Sequence, residues 1–259
     1  MKKIVALVML VMMAGLVLTG CSTSTKAPAK QKIVIGLDDS FPPMGFRDDK
    51  NNIVGFDIDM AKEAAKRLGM EVEFKPIDWG SKEVELNGKR IDALWNAMNI
   101  TEERKKNVLF SDPYMESKQL IFVPVGSPIK GAADLAGKVV GVQQASIGDE
   151  TVDKDAKLKA SLKDFKKYPD CVAAFMDLKA GRLDAIVTDE ILGRYYISKE
   201  PGKYVAIEQP LGEVGVYGVG FRKDDKQLRD QIQKALDEMK KDGTSAKISE
   251  KWFGANIVK

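Results

Sequence analysis

The residue types that this sequence lacks already limit the chemistry that its side chains could perform. Histidine does not occur among the 259 residues. Its absence removes Ser-His-Asp and Cys-His catalysis, histidine-ligated zinc, and any general base that titrates near neutrality without a large pKa shift. Two cysteines, Cys21 and Cys171, cannot form a cysteine-rich zinc site or a disulfide framework. Cys171 opens an amphipathic helical stretch, so we expect a small core residue rather than a reactive thiol.

The charge balance argues against a further class of function. The sequence has 41 basic and 38 acidic residues, a formal charge of +3. Nucleic-acid binding asks for a clustered basic face, and this balance gives no electrostatic case for it. A chain of this size can bury a core and still leave a cleft over. Composition therefore excludes several kinds of site without naming a ligand.

The elements that would position a site alternate between strand and helix, and they do so twice. Lys32–Leu37 has the pattern of a buried strand, and a helical pattern over 57–68 follows it. Later in the chain, Lys138–Val142 precedes a helical pattern over 170–180 and a strand pattern over 183–187. This order predicts an α/β fold of two lobes, each with a mainly parallel sheet flanked by helices.

Four loops are the segments in which we expect the chemistry. Ligands of open α/β sheets bind beyond the carboxyl ends of the strands, where the connecting loops lie. In this sequence those loops are 38–46, 95–101, 143–149 and 188–190.

The first 21 residues predict where the protein is located. The apolar run Ile4–Leu18 has 15 residues, fewer than the ~20 that a membrane-spanning helix needs. This pattern is typical of an export signal. Leu18-Thr19-Gly20-Cys21 resembles a bacterial lipobox, in which the signal is removed before a lipidated cysteine. We expect a signal peptide over 1–20, a lipidated tether over 21–31, and an extracytoplasmic protein anchored to the bacterial cell membrane. The alternative is an ordinary transmembrane anchor with an incidental cysteine.

Several short motifs follow one another in a fixed order along the rest of the chain. They are Asp38-Asp39-Ser40-Phe41-Pro42-Pro43, Gly55-Phe56-Asp57-Ile58-Asp59, Arg90-Ile91-Asp92-Ala93, Asn99-Ile100-Thr101-Glu102-Glu103-Arg104, Phe110-Ser111-Asp112-Pro113-Tyr114 and Gly181-Arg182-Leu183-Asp184-Ala185. Together they resemble the polar amino-acid-binding proteins of ABC importers, the solute-binding proteins of family 3 that include the lysine/arginine/ornithine and glutamine binders. The resemblance runs from about Lys32 to Phe253 and depends on the ordered set rather than on any single motif.

The resemblance implies a type II periplasmic-binding-protein fold, in which two lobes close on the ligand by a hinge. Carried over to this sequence, lobe one covers 32–117 plus 219–259, and lobe two covers 118–218. Two crossing strands would join them, Lys118–Val123 and Gly215–Gly220. Since neither lobe alone would complete the site, ligand would favour the closed form.

The resemblance also assigns the charged groups of the site. Arg104 matches the arginine that binds the α-carboxylate of a free amino acid, and a planar guanidinium suits that group. Its alternative is a surface arginine paired with Glu102 or Glu103. Asp189 matches the aspartate that pairs with the α-ammonium, and it could also cap the following helix. Asp38 matches the carboxylate that meets the far end of polar side chains, which favours a cationic or amide ligand. Its alternative is turn chemistry.

The remaining predicted contacts of lobe one are aromatic and amide residues. Phe41 and Trp79 match two positions that sandwich the ligand side chain, although Trp79 could equally belong to the core. Asn96, Ala97 and Asn99 match the stretch that supplies backbone carbonyls and a side-chain oxygen. Asn99 stands where the family usually has serine or threonine, and its amide can donate or accept.

In lobe two, the predicted contacts are Ser146 and Ile147. Both match positions that donate to the ligand carboxylate. Ile147 replaces a hydroxyl residue often found there, so its backbone N–H would be the remaining donor.

The function implied by the resemblance is that of a receptor without catalysis. It would bind a free polar L-amino acid, basic ones included, and deliver it to the permease of an ABC importer, whose ATPase subunits supply the energy. We expect a monomer that uses no metal or cofactor and binds no nucleic acid. Two alternatives stay open, a cyclohexadienyl dehydratase-like enzyme on the same fold and a ligand-binding sensor module. The enzyme would need a carboxylate, lysine or tyrosine with a strongly shifted pKa.

Overall fold

The computed structural model describes residues 31–259, so the predicted signal peptide, Cys21 and the tether up to residue 30 lie outside the described residues. The β-strands are β1 (Lys32–Leu37), β2 (Ser40–Phe41), β3 (Gly45–Arg47), β4 (Ile53–Val54), β5 (Glu71–Pro76), β6 (Ala93–Leu94), β7 (Val108–Phe110), β8 (Met115–Ser117), β9 (Gln119–Pro124), β10 (Val139–Gln143), β11 (Asp164–Tyr168), β12 (Ala185–Asp189), β13 (Tyr204–Ile207), β14 (Gly215–Tyr217) and β15 (Gly220–Arg222). The α-helices are α1 (Phe56–Arg67), α2 (Lys82–Asn87), α3 (Glu102–Lys105), α4 (Ile147–Lys154), α5 (Ala156–Ser161), α6 (Cys171–Lys179), α7 (Glu190–Lys199), α8 (Lys226–Lys241) and α9 (Thr244–Phe253). Across this part of the chain, every helix is too short or too polar to cross a membrane.

The first lobe is built on a five-stranded sheet with the order β5-β1-β6-β15-β7. β1 pairs in parallel with β5 and β6, whereas β15 is antiparallel to β6 and β7, so four of the five strands run in one direction. Side chains alternate between the two faces of a strand. Ile33 and Ile35 of β1 accordingly pack with α1 and α8, while Val34 packs against the cluster that contains Leu86 of α2.

The second lobe repeats this plan with the order β11-β10-β12-β9-β13. β10 is parallel to β11 and β12, and β9 is antiparallel to β12 and β13. Val152 of α4 and Leu158 of α5 belong to one core cluster, and Phe175 of α6 and Leu192 of α7 belong to another. The predicted α/β fold with two mainly parallel sheets is confirmed.

Two short antiparallel strands connect the lobes. β8 pairs with β14, with Met115 opposite Tyr217 and Ser117 opposite Gly215. The prediction that Lys118–Val123 is a crossing strand is wrong, because residues 119–124 form β9 inside the second sheet. β9 has neighbours on both sides, and its first five residues are buried, so it is a core strand. The lobe boundaries at 117/118 and 218/219 remain our proposed assignment.

The topology brings four loops together. β1 and β6 are parallel neighbours in the first sheet, and β10 and β12 are parallel neighbours in the second. The carboxyl ends of parallel neighbours meet at one edge of a sheet. The loops that follow these four strands hold the candidate site, which therefore draws on both lobes.

Candidate ligand-binding site

A small cavity lies between the loops of the two lobes. Its lining consists of Phe41, Trp79, Asn96, Ala97, Asn99, Arg104, Gln119, Gln143, Ser146, Ile147, Thr188 and Asp189. Nine of the ten residues predicted to contact ligand are in this lining, and the tenth, Asp38, is not. A larger groove near Arg194 and Trp252 contains none of the predicted site residues, and another beside α4 contains only Asn99 and Ile147, so the smaller cavity is the candidate site.

Arg104 brings a buried positive charge into the cavity lining. It lies in α3, whose N-cap Thr101 accepts a hydrogen bond from the Arg104 backbone N–H at 3.1 Å from Oγ1. The guanidinium donates from Nη1 to the Asn99 carbonyl at 3.3 Å, and from Nη2 to the Ala145 carbonyl of the second lobe at 3.2 Å. These bonds fix the plane of the guanidinium at the boundary between the lobes.

The ion pair of Arg104 is with Glu150 of α4, at 2.9 Å between Nη2 and Oε1. The alternative that Arg104 is a surface residue paired with its neighbours is therefore wrong. Glu102 and Glu103 pair instead with Lys105 and Lys106, one helical turn away on the exposed side of α3. Burial lowers the pKa of Arg104 below its ordinary value, while the charge of Glu150 opposes that shift.

Asp189 provides the carboxylate of the lining. It ends β12 and caps α7, because Oδ1 accepts from the Ile191 backbone N–H at 2.9 Å. Oδ2 accepts from Ser117 Oγ at 3.1 Å and from Gln119 Nε2 at 3.4 Å. Burial raises the pKa of Asp189 to about 6, so the group is mostly ionised at neutral pH. The capping role raised from the sequence is thus present alongside a place in the cavity lining.

Asp38 is buried beside the cavity and is engaged by the opposite lobe. Its Oδ1 accepts from the Ser40 backbone N–H at 2.9 Å, and its Oδ2 accepts from Gln143 Nε2 at 2.6 Å. Burial raises the pKa of Asp38 to about 6, and the bond from Gln143 opposes that shift. The turn role raised from the sequence is therefore present, whereas contact of Asp38 with a ligand side chain stays a prediction. The side chain that Asp38 meets is Gln143, which itself lines the cavity.

The loop after β6 is held in place by Asp57. Oδ2 of this fully buried carboxylate accepts from the Ala97 backbone N–H at 2.7 Å, and Oδ1 accepts from the Tyr114 hydroxyl at 2.9 Å. Ala97 has φ +48°, a left-handed conformation that is uncommon for a residue other than glycine. In the same loop, Asn96 Oδ1 accepts from the Asp38 backbone N–H at 3.3 Å. The sequence motif contained Asp57, but no role was predicted for it.

The aromatic walls of the cavity are Phe41 and Trp79. Trp79 begins the short 3-10 turn Trp79–Ser81 and belongs to the core cluster that contains Leu86. It also lines the cavity, so it belongs both to the core and to the cavity wall, and its contact with a ligand side chain stays a prediction. The ammonium of Lys82 lies 5.2 Å from the centroid of the Trp79 ring. Phe41 packs against core clusters of both lobes.

On the side of the second lobe, the turn after β10 leads into α4. Ser146 is the N-cap of this helix, and its Oγ accepts from the Asp149 backbone N–H at 3.2 Å. Ile147 is the first helical residue. Both line the cavity, as predicted from the loop in which they occur.

Three lining residues were not predicted individually, namely Gln119, Gln143 and Thr188. Gln143 and Thr188 lie at the carboxyl ends of β10 and β12, inside two of the loops identified from the sequence. Gln119 begins β9, in the segment predicted to cross between the lobes. Cys171 lies behind the cavity, 1% exposed, with its Sγ 3.6 Å from Gln143 Oε1 and from Thr188 Oγ1. That burial matches the expectation of a small core residue.

The arrangement suits a small zwitterion with a polar side chain. The lining contains one guanidinium and one carboxylate, contributed by different lobes, together with amides and two aromatic rings. A carboxylate and an ammonium on one ligand could pair with the two charges, and the amides could meet further polar groups. Within residues 31–259, the side chains form no cluster of three or more residues suited to hold a metal ion.

Comparisons with known sequences and structures agree on one protein family. Residues 33–255 match the bacterial extracellular solute-binding proteins, family 3. The chain is 34% identical to the L-cystine-binding protein TcyJ of Escherichia coli (strain K12), over 90% of this chain and 87% of that one. A substrate-binding protein of an ABC uptake transporter from Streptococcus pneumoniae, solved with bound histidine, superimposes with a TM-score of 0.84 at 35% identity, covering 88% of this chain and 94% of that one. An ancestral arginine-binding protein bound to arginine gives a TM-score of 0.82 at 45% identity, covering 87% and 99%.

Proposed function

The chain belongs to the bacterial extracellular solute-binding proteins of family 3, and from that premise we propose that it binds one free polar amino acid between its lobes for delivery to an ABC importer. The single observation that carries the proposal is the charge set of the cavity, in which Arg104 comes from the first lobe and Asp189 from the second. The relatives described above bind cystine, histidine and arginine, which share an α-carboxylate and an α-ammonium.

In the proposed complex, each charged end of the ligand meets the opposite charge. The Arg104 guanidinium would receive the α-carboxylate, with the Ser146 and Ile147 segment on the other side. Asp189 would receive the α-ammonium, together with oxygen atoms of the loop that contains Asn96, Ala97 and Asn99. The ligand side chain would extend between Phe41 and Trp79 towards Gln143, which Asp38 orients.

Closure of the lobes follows from this division of the site. A ligand that contacts both lobes has more contacts in the closed form than in the open form, and it shifts the population by that difference in affinity. Micromolar binding corresponds to about −8 kcal/mol. Two charge-assisted contacts and an aromatic wall supply part of a net free energy of that size.

We also propose that the site binds its ligand without converting it. The carboxylate of the lining, Asp189, is assigned to the ligand ammonium, and hydrogen bonds from Ser117, Gln119 and the Ile191 backbone hold it in place for that contact. General acid–base catalysis needs a group free to exchange a proton with the reacting atom. The relatives described above are likewise binding proteins.

The proposed location is the outer face of the bacterial cell membrane, with the protein held by lipid on Cys21. The support is the lipobox-like sequence Leu18-Thr19-Gly20-Cys21 and the family, whose members are extracellular. The proposed partners are a membrane permease and its ATPase subunits. We propose that the chain works as a monomer and needs no cofactor.

Calorimetry tests the proposed function. The purified protein is unfolded and refolded to remove carried-over ligand, then titrated with the twenty amino acids, ornithine and cystine. We expect saturable micromolar binding, and we expect Arg104→Ala to abolish it. Arg90→Ala, which removes an exposed arginine of the same lobe, is the control that should bind normally. Native affinity in Arg104→Ala, or no binder in the panel, would contradict the proposal.

A further inference from the structure

Two cations of the first lobe converge on one carbonyl of the second. Lys82 Nζ and Arg104 Nη2 each lie 3.2 Å from the oxygen of Ala145. Ala145 has φ +56° in the turn between β10 and α4. Lys82 is buried, and its ammonium also donates to the Trp79 carbonyl at 3.2 Å.

Glu150 is the acid of the second lobe that faces these cations. Its Oε1 lies 2.9 Å from Arg104 Nη2, and the two side chains are 28% and 4% exposed, respectively. Within residues 31–259, Lys82 has no acidic side chain at ion-pair distance, and Arg104 has only Glu150. Two neighbouring buried cations repel each other, so an acid that reaches them stabilises the arrangement in which the lobes meet.

Glu150 nevertheless lies outside the ligand cavity. It is absent from the lining and instead borders an outer groove with Lys154 and Thr151. Its second ion-pair partner is Lys154, at 3.6 Å in the same helix. Separation of the lobes would therefore leave Glu150 with Lys154 and Arg104 with the Asn99 carbonyl, while the bonds lost would be those that cross between the lobes.

We propose that Glu150 is a positioning residue that sets ligand affinity without touching the ligand, by pairing with Arg104 across the cleft once the lobes have closed. This inference rests on the proposed function. A contact that forms only on closure slows the escape of ligand and leaves the first encounter unchanged. The cation pair Lys82 and Arg104 is then balanced by two acids in the closed complex, Glu150 and the carboxylate of the ligand.

The test compares Glu150→Gln with the native protein by stopped-flow kinetics, using the amino acid that binds best in the calorimetric panel. The substitution keeps the size of the side chain and removes its charge. We expect the dissociation rate to rise about tenfold, with the association rate unchanged within twofold, since hydrogen bonds to charged groups have effects of this order. Glu103→Gln, which removes an exposed acid paired with Lys106 just after α3, should leave both rates unchanged.

Other outcomes overturn the inference. An unchanged dissociation rate shows that Glu150 does not stabilise the closed form, and a slower association rate alone shows that it acts before closure. Equal urea midpoints for native and Glu150→Gln proteins separate this role from a general loss of stability. If the native protein binds no amino acid, the proposed function fails independently. The inference then fails with it, whereas an unchanged dissociation rate in a native protein that does bind overturns the inference alone.

Discussion

The amide of Gln143 in the second lobe donates to the carboxylate of Asp38 in the first, at 2.6 Å between Nε2 and Oδ2, although 105 residues separate them in sequence. Both side chains are buried, so bulk water does not compete for either side of this hydrogen bond. Charge-assisted hydrogen bonds of this kind are stronger than neutral ones. The bond therefore connects the lobes at the end of the cavity where a ligand side chain would lie, whereas Arg104 and Glu150 connect them at another point.

Gln143→Leu should weaken ligand binding by about tenfold or more, because it leaves the Asp38 carboxylate buried without its interlobe donor and removes an amide from the cavity lining. Calorimetry with the best ligand of the panel measures the effect. Gln144→Leu alters the exposed neighbour and should bind normally. Asp38→Asn keeps an acceptor for Gln143 and should cost less. A larger loss in Asp38→Asn than in Gln143→Leu would mean that the ligand contacts Asp38 directly.

Close packing behind the second-lobe turn gives a stability prediction. A Cβ at Gly148 in α4 would lie 2.6 Å from the backbone oxygen of Val187 in β12, and backbone cannot move aside cheaply. Gly148→Ala should therefore lower the free energy of unfolding by ~1–3 kcal/mol, in the range expected for overpacking. Urea denaturation measures it. Gly131→Ala is the matched control, because no heavy atom lies within 4 Å of a Cβ there. Equal midpoints for the two variants would contradict the expectation.

The regular elements were predictable because their signals are local. The helical pattern over 57–68 corresponds to α1, one residue earlier at each end, and the strand Lys32–Leu37 was predicted at its observed bounds. The segment 118–123 was expected to be a strand that crosses between the lobes, but it forms most of β9 inside the second sheet. Which strands flank β9 depends on pairings with 186–189 and 204–207, and hydrophobic periodicity carries no information about a distant partner.

The residues of the candidate site, like the regular elements, were predictable only where the sequence signal is local. Arg104 and Asp189 were assigned by the family resemblance, Arg104 from inside one of the ordered motifs and Asp189 from the end of the strand that follows another. Their partners were missed where they come from elsewhere in the chain, as Glu150 does for Arg104 and Ser117 does for Asp189. Those pairs exist only after the two lobes have folded and met. The residue types identified the charged groups, but the fold determines which partner each group pairs with.

We expect membrane attachment to depend on Cys21, which lies outside the described residues, so Cys21→Ser should release the protein from the membrane fraction. Loss of the lipid anchor removes the hydrophobic attachment of an otherwise water-exposed domain. Immunoblots of membrane and released fractions from the producing cells measure it. Cys171→Ala removes the other cysteine, which is buried in the second lobe, and should leave attachment unchanged. Retention of Cys21→Ser in the membrane fraction would contradict lipidation at this residue.

Ligand affinity should fall in acid because of Asp189. Burial raises the pKa of this group in the ligand-free site to about 6, and the proposed ammonium contact requires the ionised form. Ligand binding would therefore lower that pKa. The full affinity is present above about pH 6 and is lost as the pH falls through that value. Calorimetry at pH 7.5 and pH 5 should show a dissociation constant about tenfold larger at pH 5, the effect of one pH unit below the pKa.

Two variants assign this pH dependence to one carboxylate. Asp189 faces neutral Ser117 and Gln119 and the charged Glu190, whereas Asp38, whose pKa is also raised to about 6, faces Gln143. Asp38→Asn should keep most of the loss of affinity between pH 7.5 and pH 5. Asp189→Asn should bind weakly at both values, with no change between them. If Asp38→Asn instead abolishes the pH dependence, the titrating group lies at the side-chain end of the cavity, and the ammonium contact assigned to Asp189 is wrong.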